Sequence, residues 1–311
     1  MLSRVAENLY WLARYLERAE DTARLISVNG HLLLDFPSAE KVDWDSLVVI
    51  LEGEDAFAER YKKSTEQNVL SFLCGDLTFP SSILSSLAYA RENLRTTRDI
   101  MPREIWEEVN QLYLSTRDRV EKGITPRNRD AFLQRVIRSI QAVIGLIEGT
   151  LSNTRVKTFL SLGRQLERAD MTTRIIDARS ANLLPKTPEE LTPFENLQWM
   201  SVLKSLTGYQ MYRQHVRLRV KGPDVLRFLL QDTQFPRAVA CSLGALSDAL
   251  QPLARSETVE HELADMRDAL ITARVYQLAH EPQDLHAFVD NMQIGFNRVH
   301  VAIADTYFQQ R

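Results

Sequence analysis

The sequence predicts an all-α protein, a single compact helical bundle built from two tandem pseudo-symmetric repeats. Three observations predict it. Helix breakers are scarce, with 11 Gly and 11 Pro in 311 residues, and the prolines gather between periodic stretches, which favours helices joined by short links over many strands. Apolar residues recur at alternating steps of four and three, the period of one helix face. The opening pattern of the chain also returns near its middle, so one ancestral unit is written twice, at about 1–150 and 151–311.

The first helix is predicted from about Ser3 to Gly30, with Val5, Leu9, Leu12, Leu16, Ala19, Ala23 and Ile26 on one stripe. Its copy carries Phe159, Leu162, Leu166, Ala169, Thr173 and Ile176. Leu16-Glu17-Arg18-Ala19 matches Leu166-Glu167-Arg168-Ala169 letter for letter, an offset of 167 − 17 = 150. Ala19 and Ala169 sit in mid-stripe, where small side chains let two helices approach. A charged stripe flanks each apolar one: Arg14, Glu17, Asp21 and Arg24 in the first, Arg164, Glu167, Met171 and Arg174 in the second.

Asp35-Phe36-Pro37-Ser38 breaks the first helix before another near Asp45. From there the repeat continues. Trp44, Ser46, Leu51 and Gly53 align with Trp199, Ser201, Leu206 and Gly208 at an offset of 155, and Val69–Pro80 aligns with Val225–Pro236 at 156. Phe132 and Phe288, again 156 apart, each open a late helix. Two repeats are too few for a capped solenoid, so the copies are expected to fold together, their first helices packed on each other. The Asp-x-x-Phe-Pro segments, Asp76–Pro80 and Asp232–Pro236, read as helix starts with Pro in the first turn. The next helix carries Arg91, Arg95 and Arg98 at i, i+4 and i+7. Its copy has Ser247, Gln251 and Ala254 there, so the stripe belongs to one half. Pro102 starts a further helix, with Trp106 and Leu112 as core. Tyr212–Lys221 is locally basic ahead of a Gly222-Pro223 stop, the composition of a helix C-terminus that complements the macrodipole.

Composition narrows the function classes. A hydrophobic share of 44% and a charged share of 25% are those of a soluble globular protein. The net charge of −3 argues against a general nucleic-acid binder. Cys74 and Cys241 have no C-x-x-C spacing, so free thiols in a reducing, cytoplasmic compartment are expected. Met1–Trp11 has no apolar h-region, so no signal peptide is expected, and the apolar runs are too short to span a bilayer. No Glu-x-x-His pair appears and no His stands at ligand spacing from Cys or Glu, so no metal is expected. His286 and Asp290, four apart, read as a surface pair. Nor is there a Gly-rich phosphate loop, nucleophile elbow or kinase signature, so no cofactor is expected and no ATP site in this chain.

The Glu-Arg pairs remain, and they admit two readings. In one, Glu17 and Glu167 bridge arginines of their own and neighbouring helices and fix register in the bundle. In the other, Arg14, Arg18 and Arg24 with Arg164, Arg168 and Arg174, together with Arg91 and Arg95, present forked donors to a carboxylate or phosphate ligand, and Glu17 or Glu167 is a candidate catalytic group.

With both Leu-Glu-Arg-Ala copies, the Phe72–Ser82 turn and the Ala90–Asp99 segment (ARENLRTTRD) in view, the whole chain closely resembles the alpha-E family, an all-helical domain named for its Glu-Arg motif. The motif maps onto Glu17, Arg18, Glu167 and Arg168. The resemblance implies a genomic neighbourhood containing a circularly permuted ATP-grasp protein and often a transglutaminase-like protease, hence a system that forms and trims amide or peptide bonds. The leading expectation is a helical component that does not itself bind ATP and that docks the ligase or holds its acceptor substrate. The rivals are an enzyme in its own right with a Glu/Arg cleft, and a scaffold that supports homo-oligomers.

Overall fold

The computed structural model describes residues 1–35, 44–182, 192–216 and 219–309, and every described regular element is helical. By the density of their contacts these residues group into two compact units. One comprises Met1–Glu167 with Tyr307–Arg311, the other Arg168–Thr306. The division falls inside a helix, between Glu167 and Arg168.

The first unit is organised by α1 (Ser3–Asp35), 33 residues and so about 50 Å long. It runs past Gly30, where the sequence suggested a stop; the break expected at 36–38 lies outside the described residues. The apolar stripe is buried from Leu9 to Ile26, and Tyr10, Glu17, Glu20, Asp21 and Thr22 are buried as well. An amphipathic helix on a bundle surface would bury one face; α1 is enclosed on most of its circumference. It packs along α5 (Ile83–Thr96) and α7 (Arg129–Thr150). Between these lies α6 (Arg103–Gly123), with α4 (Glu66–Gly75) beneath α5 and α6 and the short α2 (Asp45–Ile50) and α3 (Glu54–Arg60) preceding them. The first half of α8 (Arg155–Asn182) also belongs here, and Phe159 meets Tyr307 edge-on at 5.5 Å.

α8 and α1 approach closely at Gly163. A Cβ there would collide with the carbonyl oxygen of Tyr10 and stand 2.9 Å from its carbonyl carbon. The residue that permits close packing is thus a glycine, in addition to the alanines that the stripe suggested.

The second unit takes the rest of α8, α9 (Thr192–Ser205), α10 (Tyr209–His215), α11 (Gly222–Gln231), α12 (Val239–Leu250), α13 (Glu257–Thr272), α14 (Val275–Leu278) and α15 (Pro282–Tyr307) as far as Thr306. α11 is its hub, packing on α9, α12, α13 and α14. Gly222-Pro223 opens α11, because Pro lacks only an N–H that the first turn cannot use. The basic segment before it is therefore split: α10 ends at His215, Lys221 caps α11, and 217–218 lie outside the described residues.

The same local build occurs in each unit. Phe72 stacks on Phe79 at 4.3 Å, and Phe228 on Phe235 at 4.7 Å. Gly53 and Gly208 lie against these pairs, where a Cβ would stand 3.0 Å from a ring carbon, so a side chain there would have to displace the rings. The residues before them, Glu52 and Thr207, take the left-handed conformation at φ 52° and 54°. The Asp-x-x-Phe-Pro segments are not helix starts. Asp76 Oδ1 accepts from Thr78 N at 2.8 Å, and Asp232 Oδ1 accepts from Gln234 N and Phe235 N at 2.8 and 2.7 Å. Each carboxylate closes a turn, and the helices begin only at Ile83 and Val239. Ser82 caps α5 by accepting from Ser85 N at 3.1 Å.

Candidate functional site

The Glu-Arg motif produces a buried ion cluster in the first unit. Arg14 and Arg18, one turn apart on α1, both reach Glu167 on α8. Arg14 Nε donates to Glu167 Oε2 at 2.6 Å, while Arg18 Nε and Nη2 donate to Oε1 and Oε2 at 2.5 and 3.0 Å. Arg18 is thus a two-pronged fork, and both carboxylate oxygens of Glu167 are engaged. Glu167 is 2% exposed and Arg14 9%. Burial by itself would raise the Glu167 carboxyl, but the charges and hydrogen bonds of Arg18 and Arg14 outweigh it and hold it at about 2.

Aromatic rings cover the far side of the guanidinium groups. Arg14 lies 4.9 Å from the Trp11 ring and 5.7 Å from Tyr10, and Arg18 lies 5.7 Å from Tyr15. Trp11 stacks on Tyr15 at 5.4 Å, and Tyr15 on Tyr89 of α5 at 5.1 Å. The Tyr10 hydroxyl accepts from Arg14 Nη1 at 3.3 Å. Burial pushes that phenol up to about 12, against the opposing pull of Arg14.

Glu17, 1% exposed, lies on the wall of a small cavity that Arg164, Glu148, Lys157 and Ser161 also line. Its volume of about 20 Å³ accommodates a single water. Arg164 Nη2 donates to Glu148 Oε1 at 2.8 Å, and its buried Nε has no hydrogen-bond partner among the described residues.

Several of the remaining candidate residues make local contacts. Arg24 pairs with Glu20 at 2.5 Å and Arg174 with Asp170 at 2.9 Å, both i, i+4. The acid that recurs beside these arginines is therefore Glu20/Asp170, and not the Asp21 of the charged stripe. Arg91 donates to Asn110 at 2.7 Å and lies over Trp106 and Tyr113; Arg95 pairs with Glu92 at 2.6 Å on the open surface. Arg168 belongs to the second unit, in which it is half-buried. His286 pairs with Asp177 at 2.7 Å and not with Asp290. No group of three or more His, Cys, Asp or Glu residues that could hold a metal occurs among the described residues. No described helix is long and apolar enough to cross a membrane.

The aromatic half of the cluster went unread in the sequence, although its signal is there: Trp11 and Tyr15 precede Arg14 and Arg18 by three residues, the spacing that lays a guanidinium over a ring on one helix face. Gly163 also left a trace. It stands inside a helix at the place of Ala13, where glycine costs roughly 1 kcal/mol unless close packing requires it.

The cluster can hold charge in place; it is poorly suited to moving protons. A carboxyl held at about 2 with both oxygens occupied is a weak base at neutral pH. The ring faces of Trp11, Tyr10 and Tyr15 add cation–π attraction to the two guanidinium groups that Glu167 holds.

Among known proteins, an uncharacterized protein of Mycobacterium bovis and one of Mycobacterium tuberculosis are each 21% identical to this chain over 268 residues. The match covers 80% of this chain and 30% of each relative, so the chain spans under a third of their length. No solved structure matches. The model of the Alpha-E family, described as a predicted alpha-helical domain with a conserved ER motif, matches residues 1–308. With helices throughout its described elements and its Glu-Arg pair built into the core, the chain belongs to the Alpha-E family.

Proposed function

We propose that this chain is the helical binding component of an amide- or peptide-ligase system, partnering a circularly permuted ATP-grasp protein and holding either that partner or the acceptor substrate. The observation that carries the reading is the saturation of Glu167 by Arg14 and Arg18. The signature motif is spent on locking two helices, as suits a frame that presents a surface. The relatives add support: in each, the matching segment is 30% of a longer polypeptide, so it works alongside other sequence in one chain. A transglutaminase-like protease would be a further member of the system.

The frame itself reads as a duplicated unit. Support comes from the recurrent Phe–Phe–Gly build and from the crossed placement of the motif, in which Glu167 takes the arginines of α1 while Glu17 lines a cavity with Arg164. Co-expression with the ATP-grasp protein tests the function. Co-purification, with amide formation lost when this chain is omitted, is the expected result; ligation proceeding unaided overturns it. A role for the cluster in turnover predicts instead that Glu17→Gln or Glu167→Gln folds, binds the partner and abolishes activity.

A further inference from the structure

We infer that the second unit carries a binding cleft for a short peptide with a free amino group and a free carboxylate, built on the exposed face of α11. Asp224, Arg227, Phe228 and Gln231 lie on one face of that helix at steps of three, one and three, and His215, Asp232 and Tyr276 complete the wall. The cleft measures about 770 Å³, within the range of about 300–1,000 Å³ usual for ligand sites.

The polar groups alternate in sign and are anchored from behind. Asp224 Oδ1 accepts from the Tyr276 hydroxyl at 2.7 Å, which fixes the carboxylate while its second oxygen remains for a ligand. Arg227, one turn on, has neither an ion pair nor a hydrogen bond among the described residues, so its five donors are uncommitted. His215 Nδ1 lies 3.3 Å from Asp232 Oδ2, which leaves its Nε2 for the cleft. Gln231 is tied down by donating to Leu270 O and Ala273 O at 2.8 and 3.2 Å, and Phe228 supplies an apolar floor. An anionic place beside a cationic one selects a zwitterion. A phosphate would face Asp224 and Asp232, and a polyamine would face Arg227. Asp224 and Arg227 are one turn apart, about 4.5 Å of rise, and the long Arg227 side chain extends the span between the two charges, so the pair suits the two ends of a short peptide.

The first unit shows what the second has changed. Arg60 Nε meets Asp76 at 3.1 Å, with its guanidinium 5.9 Å from the Phe72 ring. His215 stands in the same relation to Asp232 and, at 6.0 Å, to Phe228. The imidazole is shorter and fills less of the space. At an offset of 156, Asp224, Arg227 and Gln231 correspond to Asn68, Ser71 and Gly75, so the charges belong to one half alone.

Calorimetric titration of the full chain with tri-alanine tests the assignment, alongside its C-terminal amide and its N-acetyl form. Tri-alanine should bind saturably, and Arg103→Met, on an exposed arginine of the first unit, should bind it equally. Amidation and Arg227→Met should each weaken binding about tenfold or more, and N-acetylation and Asp224→Asn likewise, as expected for charge-assisted contacts. Arg227→Met should then no longer distinguish the acid from the amide. No saturation up to about 10 mM, a free energy near the weak end of specific binding, overturns the proposal, as does equal binding of the blocked peptides. If Arg227→Met does not fold, the amide reads the same contact from the ligand side. No ligase enters this measurement, so its failure and that of the ligase partnership are separately visible.

Discussion

Glu167→Gln isolates what the buried cluster contributes. The substitution keeps shape and one acceptor but removes the charge that Arg14 and Arg18 share. Two lines of reasoning give its size. A folded-state value of about 2, set against the ordinary 4.5, is a shift of 4.5 − 2 = 2.5 units, worth about 3 kcal/mol at 1.36 kcal/mol per unit. Removing one partner of a buried ion pair typically costs about 3–5 kcal/mol, because the remaining charge is left uncompensated. The estimates agree, and the pH dependence separates this cause from simple loss of packing. Because the folded-state value is depressed, the stabilisation is complete above about 4.5 and is lost as pH falls through about 2. Urea unfolding of both proteins, followed by near-ultraviolet circular dichroism from pH 7 to pH 2.5, should show a gap of about 3 kcal/mol at neutral pH that narrows below about pH 4.5. Equal stability at pH 7, or a gap that does not change with pH, would refute the argument.

Three further outcomes are expected. Gly163→Ala should destabilise the chain by about 1–3 kcal/mol, read as a lowered urea midpoint, because its methyl group meets the Tyr10 backbone rather than a flexible side chain. A thiol reagent at pH 8 should modify Cys241, which is half-buried, well before Cys74, which is fully buried with its thiol pushed up to about 12; in urea both should react. His286 should titrate above 6.5, raised by its hydrogen bond to Asp177 and that carboxylate's charge, and Asp177→Asn should return it to the ordinary range by proton NMR. The sign follows: this pair contributes below about 6.5 and fades as pH rises through the elevated value.

Much of the helical frame was legible because a helix writes its buried face into the sequence at a fixed period. Leu9, Leu12, Leu16, Ala19 and Ile26 are buried, as the stripe requires, and so are Phe159, Leu162, Leu166, Ala169 and Ile176. Helix ends were harder to read, since a terminus depends on which side chain captures the free backbone groups. Asp-x-x-Phe-Pro looked like a helix start, but the carboxylate caps the turn, and the helices begin only at Ile83, where the Ser82 hydroxyl caps the first turn, and at Val239, where no side chain does. Charge partners were hardest. Spacing showed that Arg14, Glu17 and Asp21 share a flank; it could not show that Arg14 reaches Glu167, 153 residues away.

The sequence by itself determined the helices, the repeated pattern and the presence of acidic and basic side chains on matching faces, because these follow from local period and composition. Which carboxylate each guanidinium meets, how closely α1 and α8 approach at Gly163, and where α11 leaves charged side chains around an open cleft were decided only by the tertiary structure. Those depend on distances between segments far apart in the chain, and local periodicity carries no information about such distances.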